Sequence, residues 1–204
     1  MTDEVLQEAF VNVRPLSQSA GHVLPGGDCG LCCVAGIFGL PTIEAGYDFA
    51  ERHMPAEGGW RRRASMDMFR WRYLTEATVG YRPYNPGFDH YKEGCYEVPW
   101  NNLNWVKGVR EMCQRGRDVL VASIRFERSV PPWTAAESNH NVIVNGWREV
   151  RRPHPIVLGA MSIDQEVGVS CSVKGDYWVE WSEFLYWHYA CAVVIDTHRA
   201  RLPR

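Results

Sequence analysis

Pro25-Gly26-Gly27-Asp28-Cys29-Gly30-Leu31-Cys32-Cys33-Val34-Ala35-Gly36-Ile37-Phe38-Gly39 passes from a polar glycine turn straight into an apolar run of small residues. This reads as a helix that opens at Cys29 and closes at Gly39-Leu40-Pro41, because glycine suits the left-handed C-terminal position and proline cannot continue a helix. A thiol at a helix start meets unpaired backbone N–H groups and the positive end of the helix dipole, which favour the nucleophilic thiolate. Gly26, Gly27 and Gly30 leave room for a substrate carbonyl, and the Cys29 N–H is a candidate donor to a developing oxyanion. The plainer alternative makes Cys29, Cys32 and Cys33 buried small hydrophobes on a core helix. A partner residue decides between the two.

Outward from that helix, residues 3–10 suggest a short helix and Val11–Leu16 a brief edge strand halted by Pro15. Downstream, 42–54 fits a helix with Ile43, Tyr47 and Ala50 on one face and Pro55 as the stop, and 65–76 fits another with Met66, Phe69, Tyr73 and Leu74 on one stripe. That aromatic stripe reads as a core face, and no cofactor box is implied. Residues 80–102 mix prolines and glycines with Tyr81, Tyr84, Phe88, Tyr91, Tyr96 and Trp100, which suits a cover over a cleft or an excursion packed on the core. The clearest helix spans 102–115, with Leu103, Val106, Val109 and Cys113 on one stripe and Gly116 closing it. The period then changes to that of strands at 119–126, 140–147, 156–163, near 167–173 and 190–195, with a short helix at 182–187 capped by Ser182. Helices first and strands after predict an α+β fold with a largely antiparallel sheet.

A chain of 204 residues, 46% hydrophobic and 23% charged, can bury a full core as one domain over 1–204, with 80–102 as a long insertion. A formal charge of -2 and a pI near 6.4 give no pull toward nucleic acid, and Arg61-Arg62-Arg63 reads as a solvated surface run. The acidic N-terminus lacks the apolar core of a signal peptide, and no run reaches the ~18 apolar residues that span a bilayer. Seven cysteines at irregular spacings read as reduced thiols, which favours a cytoplasmic setting. Nine tryptophans and nine tyrosines suit a core or an aromatic-walled cleft. Such a cleft would take a bulky or peptide-like ligand; nothing fixes an oligomeric state.

A cysteine nucleophile needs a base nearby in space and a third group to fix the base's tautomer. Of seven histidines, His22, His53, His90, His154, His188 and His198 fall in expected loops, helix ends or the tail. His140 instead opens the apolar run Val142-Ile143-Val144 after the polar Glu137-Ser138-Asn139, at the mouth of the sheet where a helix N-terminus could meet it. Asp164 ends the apolar Gly159–Ile163 run and would lie beside His140 if these strands pair antiparallel. Asp176, in an expected turn, and Asn145, within the His140 strand, are the weaker candidates for that third place.

Asp28-Cys29-Gly30-Leu31-Cys32-Cys33-Val34-Ala35 resembles the nucleophile motif of the papain-like cysteine peptidases, in particular the family that trims double-glycine leaders from bacteriocins. His140-Asn141-Val142-Ile143-Val144-Asn145-Gly146 looks like that family's His-led strand, Ile163-Asp164 like its strand-ending Asp, and Trp181–Trp187 like its closing Ser-Glu-Phe helix. The resemblance implies a papain-like fold in which N-terminal helices, the nucleophile helix among them, pack on a C-terminal antiparallel sheet. It also implies a catalytic Cys29, His140 and Asp164 that act through an acyl-enzyme on an amide, peptide or (thio)ester, with no cofactor or metal. Where the family has its oxyanion glutamine this chain has Val23, and Gln18 reaches that place only if 19–27 form an inserted loop. His140 and Asp164 are also more widely separated than in the family, with Arg151–Pro155 reading as a longer hairpin. The family is commonly fused to a membrane exporter; this chain shows no span, so the leader-peptide substrate is not carried over.

Other readings compete. Cys29-Gly30-Leu31-Cys32 is a C-x-x-C at a helix start, as in thiol-disulfide oxidoreductases, although those place a strand-helix-strand unit before the motif. Zinc held by Cys29, Cys32, Cys33 and a distant histidine ranks last, because Cys32 and Cys33 face different sides of a helix. A non-catalytic binding module on the same fold is the remaining alternative.

Overall fold

The computed structural model describes residues 3–18, 28–53, 66, 68–79, 103–124, 140–154 and 156–200. A six-stranded sheet runs through the described residues, built from β1 (Glu4–Phe10), β2 (Asp118–Ile124), β3 (His140–Pro153), β4 (Met161–Cys171), β5 (Gly175–Glu180) and β6 (His188–Asp196). The order is β5-β4-β3-β2-β6, every pairing is antiparallel, and β1 joins on β3. β4 follows β3 along one side. On the other side β2 takes the first half of β3, Ile124 opposite His140 to Leu120 opposite Val144, and β1 takes the second, Phe10 opposite Gly146 to Glu4 opposite Arg151.

Helices cover both faces. On one lie α1 (Cys29–Phe38), α2 (Ile43–His53) and α3 (Met68–Val79), where Leu31, Val34, Ile37, Trp71 and Leu74 pack on Val119, Val121 and Ile143. On the other lie α4 (Leu103–Arg115) and α5 (Trp181–Trp187), where Val109, Met112 and Phe184 pack on Leu120, Ala122, Val142, Val144 and Val169. The two-residue alternation of a strand produces this division: odd positions of β2 and of β3 up to Ile143 face α1 and even ones face α4, and past the bulge after Val144 Trp147 joins the α4 side. A strand covered on both sides reads as an unbroken apolar run, which is how 142–144 looks in the sequence. A four-residue helix, α6 (Thr197–Ala200), follows β6. The chain is α+β with an antiparallel sheet.

α1 begins and ends where the sequence places it, with Gly39 in the left-handed region at φ 68°. The lead-in crosses its back: Leu16 N–H donates to Cys32 O at 3.0 Å, and the backbone of Arg14 and Pro15 lies so close to Gly36 that any Cβ there would overlap Arg14 O.

Several expectations are corrected. Residues 4–10 form β1 and not a helix; Leu6, Gln7, Glu8 and Ala9 are good helix formers, but pairing with β3 overrides that local preference. Val11–Leu16 forms no strand; Val11 donates to Asn145 O at 2.7 Å and the chain turns. The expected strand at 156–163 holds only from Met161, where a single strand runs to Cys171; residues 156–160 form the hairpin tip, closed by Gly159 at φ 81° and by His154 Nδ1 accepting from the Ile156 and Val157 N–H groups. Hydrophobicity misleads there, because Ile156 and Leu158 stand 87% and 103% exposed. In α3 the buried stripe is Trp71, Leu74, Thr75 and Thr78, with Tyr73 turned outward. The 80–102 segment, Val23, the Gly26-Gly27 turn and Arg61-Arg62-Arg63 lie outside the described residues. Among the described residues no single helix is long and apolar enough to cross a membrane.

Candidate functional site at the start of the third strand

The site forms where the first turn of α1 meets the first residues of β3. Cys29 is buried, and its Sγ accepts the Asn141 backbone N–H at 3.4 Å and lies 3.8 Å from Asn141 Nδ2. One turn on, Cys33 Sγ donates to Asn141 O at 3.6 Å, so the two thiols hold Asn141 by its N–H and its C=O. Asn141 Nδ2 also donates to Met66 O at 3.1 Å, tying in the chain just before α3.

His140 is joined to that contact, since the N–H on Cys29 belongs to the His140–Asn141 peptide. Adding the bonded Cα-to-N separation to the 3.4 Å contact places His140 Cα within about 6 Å of Cys29 Sγ. Successive side chains of a strand point to opposite faces, so Asn141 turns to α1 and the imidazole turns toward the α4 face. There His140 Nε2 lies 3.1 Å from Cys171 Sγ, at the end of β4. Cys171 Sγ in turn accepts the Val173 and Lys174 N–H groups, each at 3.4 Å, from the tight turn into β5.

The expected thiolate is not the resting form. Burial pushes the Cys29 thiol up, and the neighbouring Asp28 carboxylate adds to it; the Asn141 amides and the Gly30 N–H oppose this and lose. The helix start is buried too deeply for its dipole to win. Burial also raises Cys171 against the Lys174 and Val173 N–H groups, and lowers His140 to about 4. At neutral pH the site therefore holds thiols and a neutral imidazole, whose protonation burial opposes.

Gln18 comes to the same end of the sheet. Its N–H donates to Ser172 O at 2.9 Å and its Oε1 accepts from Ser172 Oγ at 3.3 Å, one residue beyond Cys171. Ser172 also lies against Cys32.

Asp164 is not brought there. It pairs with Val150, ten positions along β3 from His140, a separation of about 33 Å at strand rise. Its carboxylate forms an ion pair with Arg152, Nε at 3.2 Å, and accepts from Ser162 Oγ at 3.2 Å, and it lines a groove with Lys107, Arg110, Glu180 and Trp181. The cause is the length of the hairpin, which carries residue 164 to the outer end of the ribbon. Asp176 and Asn145 meet instead through Ser170, whose Oγ donates to Asp176 at 2.6 Å and accepts from Asn145 Nδ2 at 2.8 Å, with Arg14 paired to Asp176. Neither is placed on His140.

Cys171 and Asn141 are the site residues that sequence reasoning missed. Val169-Ser170-Cys171-Ser172-Val173 carries no local signal, and only the β3–β4 register shows what faces His140.

The C-x-x-C pair shares the first turn of α1 as buried free thiols, and burial first, then the charges of Cys29 and Asp28, push Cys32 up to about 12. That is the reverse of the acidic thiol a disulfide oxidoreductase uses. Among the described residues no group of three His, Cys, Asp or Glu side chains is disposed to hold a metal ion. No protein-family model matches the chain, and no curated protein shows significant similarity to it.

Proposed function

We propose that this chain is a papain-like cysteine hydrolase or acyl transferase that forms an acyl-enzyme on Cys29. The observation that carries the reading is the contact of Cys29 Sγ, at the head of a central helix, with the His140–Asn141 peptide at the head of a sheet strand. The contact brings the sulfur proposed as nucleophile against the backbone of the residue proposed as base, each carried by its own rigid element.

In the reaction, neutral His140 takes the Cys29 proton as the sulfur attacks the carbonyl carbon of an amide, ester or thioester. The Cys29 N–H and Gln18 are the candidate donors to the oxygen that gains charge. As the tetrahedral intermediate collapses, the imidazolium returns the proton to the leaving amine, alcohol or thiol. Water or an amine then attacks the thioester and frees Cys29. Burial disfavours both thiolate and imidazolium at rest, so the proton would move as the sulfur attacks and not through a standing ion pair.

Iodoacetamide alkylation, mapped by peptide mass spectrometry across pH in wild type and in His140→Ala, tests the reading. Cys29 should be the fast-reacting thiol, and His140→Ala should slow it at least tenfold at pH 7. Equal rates in both proteins, rising only near the ordinary thiol range at about pH 8.5, would overturn the proposal; labelling governed by Cys32 would favour the redox alternative.

A further inference from the structure

A general base works only if its tautomer leaves a lone pair on the nitrogen that faces the nucleophile. Histidines in such pairs are usually held by a carboxylate or carboxamide, yet Asp164, Asp176 and Asn145 are all placed elsewhere. Among the described residues, Cys171 Sγ lies against the Nε2 of the ring. We propose that Cys171 is the positioning residue for His140, its Sγ accepting the Nε2–H of the neutral imidazole so that Nδ1 keeps the lone pair that takes the Cys29 proton. This rests on the reading of Cys29 and His140 given above.

Three features of the geometry support it. The 3.1 Å separation is short for a contact to sulfur, within the range of a formed hydrogen bond. Cys171 is itself fixed, by its pairing at the end of β4 and by the Val173 and Lys174 N–H groups that converge on its sulfur. These two contacts fix where the sulfur sits relative to the ring. The contact is buried, so water does not compete with it.

A sulfur in this position orients the ring without adding a full negative charge, which distinguishes it from an aspartate. The imidazolium formed during turnover is then stabilised less, and the proton returns more readily to the leaving group. The charged or titratable groups around the pair are Cys29 and Cys33 from α1, Asp28 just before it, Lys174 from the β4–β5 turn, and Tyr177 from β5 with Glu183 beyond it. Ile124, the β2 residue opposite His140, adds no charge.

Long-range proton–nitrogen NMR of protein labelled with nitrogen-15 histidine reads the tautomer directly at pH 7. Wild type should show His140 protonated on Nε2 and bare on Nδ1. Cys171→Ala should give a mixture, Cys171→Ser should restore the wild-type pattern, and the alkylation rate of Cys29 should fall about tenfold in the alanine variant and recover in the serine one. A wild-type His140 protonated on Nδ1 would overturn the inference by itself, whether or not any variant folds. An unchanged tautomer in folded Cys171→Ala would overturn it as well. The function proposal fails separately, when His140→Ala leaves Cys29 alkylation untouched.

Discussion

At the scale of single residues, His140 couples the site to pH. Burial lowers it to about 4, whereas a histidine in the unfolded chain titrates near 6.5. Between those values the unfolded chain binds a proton that the native chain does not, so stability falls as pH drops through that window, and this group has no effect above it. The full window corresponds to a loss on the order of 3 kcal/mol. Urea unfolding at pH 7 and pH 4.5 should therefore show a larger acid loss in wild type than in His140→Gln, which has nothing to titrate there. Equal losses would mean that the ring is already solvated or charged in the native protein.

At the scale of elements, α1 is held from behind as well as from the sheet. With Arg14 O already against Gly36 Cα, Gly36→Ala should cost about 2 kcal/mol, the overpacking penalty exceeding alanine's better helix propensity. A drop in the thermal midpoint of several degrees would report it; an unchanged midpoint would show that the lead-in can move away. This crossing was not legible in the sequence, where Gly36 reads only as one more small residue in an apolar run. The helices at 29–38, 43–53 and 103–115 and the strand at 118–124 were legible, because turn glycines, prolines and periodicity mark them locally. β1 was not, since its strand state depends on a distant partner, nor was the hairpin tip, where an apolar run has no core to face. The site divides on the same line. Cys29 and His140 each open an apolar element and can be found by reading along the chain, while Cys171 and Asn141 follow from register, and Asp164 was displaced by a hairpin whose length no local pattern announces.

At the scale of the whole molecule, β3 is the common thread. Its first half carries the site between two helical layers; its second half runs out into a ribbon braced by Arg148 and Arg152 on Glu166, with the Arg148 guanidinium 4.4 Å over the Trp178 ring. β1 reaches that second half from the opposite end of the sequence, Phe10 against Gly146, and this sets an order of events in folding. β3 and β4 are joined by a short turn and can zip together early, whereas β1 must wait for the intervening chain to collapse before its partner exists, and closing so long a loop is slow. Pulse-labelled hydrogen exchange during refolding should find the β3–β4 amides protected first and those of Val5–Phe10 in the last phase. Simultaneous protection would place β1 inside the nucleus instead. In that order of events β1 stands by as a spectator while the rest forms, and the sheet is completed by a strand that precedes all its partners along the chain.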